Sequence, residues 1–241
     1  MRVRFRFVKL GKIRWTSHRD LARMWERAFR RVELPLAYTA GFSPRPKVSF
    51  GLALPTGYES VAEYLDIELD PSRVDGLDIA TLPTKLSDAL PAGVDVTAAG
   101  TIDDRTASLQ HEVTSCEWTL LVAREDGAGT EEVRLRELAA GVLAASEVVV
   151  TRERKGQAVT EDVRPSILSI EVFDGGFRTE LATQPRAFRP TELLAAMDAT
   201  LVERLARRET QWILRADGAR EDPLPRQPVA DAPPAALLER V

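Results

Sequence analysis

The segment Ser17–Lys47 concentrates the side chains with the clearest chemical purpose: Arg19, Arg23, Arg27, Arg30, Arg31, Arg45 and Lys47, set against Asp20, Glu26 and Glu33. At 100° per residue, Arg19, Arg23, Arg27 and Arg30 fall on one side of a helix and form a guanidinium stripe. Such a stripe is suited to the phosphates of a nucleic acid, where each neutralised phosphate releases counterions. Residues 1–50 hold 13 Lys+Arg and 3 Asp+Glu, a net of +10; the remainder holds 20 and 34, a net of −14, and the two sum to the chain's −4. A strongly basic end on an acidic chain points to a polyanionic partner. The competing partner lies inside the chain: the stretch 59–104 holds 11 acids and two Lys+Arg.

Three further groups could act with the stripe. In Gly41–Lys47, GFSPRPK, Pro44 and Pro46 restrict the backbone and make a rigid loop. Arg45 and Lys47 would reach phosphates from it, and Phe42 would either stack on a base or plug the core. His18 stands at the start of the predicted helix, where it is a candidate general acid or base toward an RNA 2′-hydroxyl, or simply a polar first-turn residue. Tyr38 and Lys47 are the groups that could assist it. Arg164, with the cluster Arg152–Lys155, is a second basic candidate; the alternative is a charged hairpin edge that discourages strand pairing.

These residues need elements to hold them. Val3, Phe5 and Phe7 alternate with Arg2, Arg4 and Arg6, the period of a half-buried strand with an arginine-rich face. Ser17 and Asp20 form a capping box that starts a helix running to about Val32, with Leu21, Met24, Trp25, Ala28 and Phe29 on its apolar side. Strands are expected at Leu36–Thr39, Val48–Leu54, Glu63–Leu69 and Val94–Thr97, with a helix near Thr84–Leu90. The pattern restarts after the polar stretch 99–112: strand Glu117–Ala123, helix Glu131–Ala145 with Val133, Leu135, Leu138 and Val142 as its apolar positions, strands at Val148–Arg152, Ser166–Phe173 and Phe177–Ala182, a helix from Pro190, and strand Thr210–Leu214. Asp174-Gly175-Gly176 is a hairpin signal. Residues 216–241 have a composition that favours disorder. The order strand, helix, strands, helix, strand occurs twice, which predicts an α+β protein of two ferredoxin-like domains, residues 1–103 and 112–215, each an antiparallel sheet with helices on one face, followed by a disordered tail.

The remaining composition narrows the function. No run approaches the roughly 20 apolar residues of a membrane span, and the alternating N-terminus lacks a signal peptide's apolar core, so a cytoplasmic protein with no membrane partner is expected. One cysteine, Cys116, allows no intrachain disulfide. Two histidines and one cysteine argue against a closed zinc site, so no metal is expected. No phosphate-binding glycine motif follows a strand, so no cofactor is expected either. Trp15, Trp25, Trp118 and Trp212 are expected in the core.

The run KLGKIRWTSHRDLARMWERAFRRVELPLAYTAGFSPRPKVSFGLALPTGYES with EYLDIEL, and TRERKGQAVTEDVRPSI at 151–167, resembles a bacterial family of radical SAM-associated proteins of unknown function. In many members this module follows a radical SAM domain in the same chain; in others it stands alone. Members carry Gly-Phe-Ser/Asn-Pro-x-Pro-Lys, with Arg45 at the variable position here. The resemblance implies an accessory role beside a separately encoded radical SAM protein, because this chain lacks that domain's cysteines. The combined reading is a non-catalytic binder of tRNA or rRNA through Arg19, Arg23, Arg27, Arg30, Phe42, Arg45, Lys47 and Arg164. The alternatives are a metal-independent endoribonuclease using His18, and a protein–protein adaptor.

Overall fold

The computed structural model describes residues 1–124, 131–154 and 156–224. The described residues divide into two compact units, residues 1–112 with 219–224, and residues 113–218. Both are mixed α/β, with antiparallel strand ladders and helices. Among the described residues no helix is long and apolar enough to cross a membrane.

Unit 1 contains β1 (Arg2–Lys9), α1 (His18–Arg31), β2 (Val48–Phe50), β3 (Glu59–Glu68), α2 (Leu82–Ala89), β4 (Val94–Ile102) and the single turn α3 (Leu109–Glu112). Its strands run β4-β1-β3, with β2 pairing β3. Half of the expected capping box forms: Ser17 Oγ caps the helix by accepting the Asp20 N–H at 3.2 Å, and the hydroxyl donates to Asp20 Oδ2 at 2.8 Å where a full box would have the carboxylate accept the Ser17 backbone N–H. Alternation along β1 sends Val3, Phe5 and Phe7 into a core with Leu21, Trp25 and Phe29 of α1 and Leu82 and Leu86 of α2. Phe7 meets Trp25 edge-on with ring centroids 5.0 Å apart, a favoured aromatic geometry.

The other face of β1 departs from expectation. Arg2, Arg4 and Arg6 do not extend a basic surface, because Arg4 and Arg6 are buried and all three are paired within the chain. Arg4 Nε and Nη2 donate to Asp66 Oδ1 and Oδ2 at 2.7 and 2.9 Å, a two-pronged pair between residues facing each other in the β1–β3 ladder. Arg2 Nη2 reaches the same carboxylate at 3.2 Å. The acid-rich stretch thus neutralises Arg2 and Arg4, through Asp66.

The expected tail also differs. Arg4 Nη1 donates to Pro223 O at 3.0 Å, Arg6 Nη1 lies 3.3 Å from Asp222 Oδ2, and the Tyr64 hydroxyl donates to Asp222 Oδ1 at 2.7 Å. Leu224 is buried, and its Cδ1 lies so close to Gly100 that a Cβ there would approach to 2.8 Å. Residues 219–224 are therefore an ordered strap on unit 1, held by charged groups that a composition argument does not see. Residues 225–241 lie outside the described residues. The expected strand Leu36–Thr39 is reduced to two isolated bridges, Leu36↔Leu69 and Tyr38↔Pro46, and Ile13–Trp15 belongs to a 3-10 turn, Gly11–Trp15.

Unit 2 contains β5 (Ser115–Arg124), α4 (Glu132–Ala144), β6 (Val149–Arg154), β7 (Gln157–Asp162), β8 (Ile167–Phe173), β9 (Gly176–Ala182), α5 (Pro190–Met197) and β10 (Leu201–Leu214). One sheet runs β10-β5-β9-β8, and β6 and β7 form a separate hairpin. The Asp174-Gly175-Gly176 turn joins β8 to β9: Gly175 has φ +80°, and a Cβ on Gly176 would collide with the Leu120 carbonyl oxygen. Leu135, Ala139 and Val142 are the buried side of α4, whereas Val133 is exposed. Cys116 is buried on β5.

Replacing Asp66 by alanine would leave the Arg4 guanidinium buried without its carboxylate. The expected loss is about 3–5 kcal/mol of stability, read as a lowered denaturation midpoint with α1 still helical by circular dichroism at low denaturant; an unchanged midpoint would remove the pair from the account of the fold.

Candidate nucleic-acid interface

With the β1 arginines paired internally, the densest run of exposed positive charge in unit 1 is α1 and the segment after it. Arg19, Arg23, Arg27 and Arg30 are all exposed, on the side of α1 opposite the buried Leu21, Trp25, Ala28 and Phe29. Arg23 pairs with Asp20 at 3.1 Å, one turn away, and both are half exposed, so the pair holds its charge weakly. The Ser17 hydroxyl, helped by Arg23 and Arg19, holds the Asp20 carboxyl below its ordinary range. Arg27 and Arg30 have no ion pair or side-chain hydrogen bond among the described residues. Arg31 turns away and donates to the Ala89 carbonyl at 2.8 Å.

The chain leaves α1 through Val32–Pro35 into a hairpin closed by Tyr38↔Pro46. Thr39 N–H donates to Arg45 O at 2.9 Å, and Lys47 N–H to Ala37 O at 2.9 Å. Phe42 stands at its tip and is 109% exposed relative to a reference chain, which rules out the core-plug alternative. Gly41 before it has φ +120°, a conformation open to glycine. Arg45 is exposed; Lys47 Nζ pairs with Glu68 Oε2 at 2.6 Å, both partly in water. The stripe and the hairpin therefore belong to one continuous stretch of unit 1.

His18 is exposed at the first position of α1, and its ring packs edge-on against Phe50 at 5.1 Å. Beneath it lies a cavity of about 10 Å³ lined by Lys9, Glu63 and Tyr64 among others, room for about one water. Lys9 is buried and its Nζ donates to the carbonyls of Arg14 and Thr16, each at 3.0 Å. Desolvation lowers its pKa, against the attraction of Glu63. Neither Tyr38 nor Lys47 is in contact with His18 in the geometry described, so the two groups expected to assist it are engaged elsewhere: Tyr38 in the hairpin bridge, Lys47 with Glu68.

Arg164 belongs to unit 2, and both its terminal nitrogens are committed. Nη1 donates to Ile167 O and Nη2 to Leu143 O, both at 2.9 Å, tying the end of α4 to the start of β8. It acts as a clamp on the backbone, a use that its place in a basic motif does not reveal. Arg152 is likewise paired, its Nε donating to Glu161 Oε1 at 2.8 Å. Arg186, not singled out by any motif, donates from Nε to the same oxygen at 2.8 Å and from Nη1 to Glu192 Oε2 at 3.0 Å. Lys155 lies outside the described residues.

Sequence reasoning missed Trp15. It is 64% exposed instead of buried, and it precedes Arg19 by four residues. The available signal was its position in a short turn after Gly11, away from the apolar stripe of α1.

These features define a mixed α/β protein whose first unit presents a basic helix face and a solvent-exposed, proline-braced hairpin. The chain belongs to an uncharacterised protein family conserved in bacteria (DUF2344), whose profile matches residues 2–211. No curated protein matches it in sequence. Among solved structures it is similar to one chain of the crystal structure of a Cbf5-Nop10-Gar1 complex, with a TM-score of 0.41 and 14% identity over 86% of this chain and 49% of that one. This chain thus spans about half the length of that relative.

The Glu161 site carries a pH dependence. Hydrogen bonds from Arg186 and Arg152 pull the carboxyl down to about 2. A folded-state value below the unfolded one, near 4.3, means that its stabilising contribution is full above the unfolded value and is lost as pH falls through the folded value. Glu161→Gln is therefore expected to be less stable than the parent at neutral pH, with the difference shrinking as pH falls from roughly 4.3 toward 2. Thermal denaturation of both across that window checks it, and a gap independent of pH would contradict the assignment.

Proposed function

We propose that this protein binds RNA through unit 1, as a non-catalytic accessory. The observation that carries the reading is the set of four exposed arginines along one side of α1, two of them without an intramolecular partner among the described residues, in a unit whose β1 arginines are paired internally. Exposed like charges repel one another, and phosphates relieve that repulsion. Arg45 and Lys47 would add contacts from the hairpin, and Phe42 would stack on a base. Arg164, held by two carbonyls, is left out of the interface. The structured RNAs proposed are tRNA or rRNA, and the resemblance described from sequence supports a separately encoded radical SAM protein as the system it serves. We further infer that each unit is ferredoxin-like. The support is the strand order β4-β1-β3-β2 in unit 1 and β10-β5-β9-β8 in unit 2, each with two helices joining its strands.

Purified protein is expected to bind RNA with an affinity that falls steeply with salt. Changing Arg19, Arg23, Arg27 and Arg30 together to glutamine should flatten the slope of log K against log salt by roughly 3, at about 0.7 per phosphate for single strands. Stability should change little, since all four are exposed. Absence of binding at low salt would hand the basic face to an acidic protein partner. His18→Ala should cost little affinity, and the parent should leave RNA intact in the presence of chelator; His18-dependent cleavage of a defined RNA would make the protein an endoribonuclease.

A further inference from the structure

Trp15 is the tryptophan of this chain that faces solvent: Trp25 and Trp118 are buried and Trp212 is half-buried. A single exposed aromatic is common on protein surfaces; what sets Trp15 apart is how firmly its surroundings hold it in water. The surrounding structure holds it there from both sides. Lys9 Nζ donates to the carbonyls of Arg14 and Thr16, the residues flanking it, each at 3.0 Å. Gly57 N–H donates to Arg14 O at 2.8 Å. Gly57 itself has φ +93°, and a Cβ on it would come within 2.9 Å of Trp15 Cζ3, so the indole lies close against bare backbone. The Arg14 guanidinium carbon is 5.3 Å from the ring centroid, and its Nη1 is anchored on Glu59 Oε1 at 3.3 Å. Glu59 Oε1 also accepts the Gly11 N–H at 2.8 Å, closing the base of the turn.

The ring is thus exposed and fixed at once, as an aromatic that stacks on a ligand should be, because little ordering remains to be done on binding. It stands just before α1, on which Arg19, Arg23 and Arg27 recur every four residues, about 6 Å along the axis. That step is comparable to the spacing of neighbouring phosphates on an RNA strand. We infer that Trp15 is a base-stacking platform and that the ligand of this face is single-stranded RNA, with an unpaired base on the indole and the adjoining phosphates along the α1 arginines. The inference rests on the RNA-binding reading above and narrows it. Bases inside a duplex are already stacked and present no face to an indole, whereas loop and end nucleotides do.

The test uses the full chain with a short unstructured RNA and the same RNA annealed to its complement. Tryptophan emission and the anisotropy of labelled RNA are followed in parallel. Single-stranded RNA is expected to quench the emission with the same midpoint as the anisotropy change, and Trp15→Phe should abolish the quenching while keeping most of the affinity. Trp15→Ala should weaken single-strand binding roughly five- to hundred-fold, the loss of one stacked base, and leave duplex binding unchanged. Single-strand binding with unaltered Trp15 emission, or an equal loss for both RNAs in Trp15→Ala, would overturn the platform while leaving the RNA reading standing. If neither RNA binds at low salt, both the platform and the RNA reading are removed.

Discussion

The buried pair between Arg4 and Asp66 is the constraint on which unit 1 depends. It joins facing residues of β1 and β3 through two short hydrogen bonds. Taking two charges out of water is costly, and the attraction offsets that cost only when the geometry is good. The pair therefore penalises any other pairing of the two strands. Strand alternation then does the rest: with Arg4 on one face, Val3, Phe5 and Phe7 must lie on the other, against Trp25 and Phe29. A slip of one residue would put guanidinium groups into the aromatic core.

The same arrangement determines which charges are free to meet a ligand. Arg2, Arg4 and Arg6 are consumed by Asp66, by Asp222 and by carbonyl groups, so a segment with a formal excess of ten positive charges shows far fewer of them to solvent. The C-terminal strap is part of this balance. Asp222 lies between Arg6 and the Tyr64 hydroxyl, and burial, more than the carboxylate beside it, pushes the Tyr64 pKa upward. Unit 1 is consequently assembled from residues 1–112 and 219–224, with the second unit between them in sequence.

What is left on the surface is selective. The arginines of α1, Phe42 at the hairpin tip and Trp15 in its turn are each held by backbone that is itself well tied, and each leaves its functional atoms in water. In unit 2 the arginines are used differently. Arg164 clamps two carbonyls, and Arg152 and Arg186 share one oxygen of Glu161. Basic residues of equal prominence in the sequence thus divide into those that build the fold and those that remain available.

Local chemistry was legible in the chain itself. The Ser17–Asp20 cap, the apolar face of α1, the alternation of β1 and the Asp174-Gly175-Gly176 turn each follow from interactions within a few residues, and each forms. Period-two reasoning failed where the ladder is irregular: β10 was visible only as Thr210–Leu214 because register shifts at Glu203/Leu205 and Arg208/Thr210 break its alternation. β7, mostly polar and with no buried residue, gave no signal. The partners of charged groups were beyond reach for a different reason. Arg4 meets Asp66 and Pro223 across separations of 62 and 219 residues, and Arg6 meets Asp222, so nothing near them in sequence distinguishes these arginines from Arg27 or Arg30. Sequence determined which faces would be apolar and which would be charged; only the tertiary structure decided which charges find partners, because that depends on which distant strands and segments come to lie side by side.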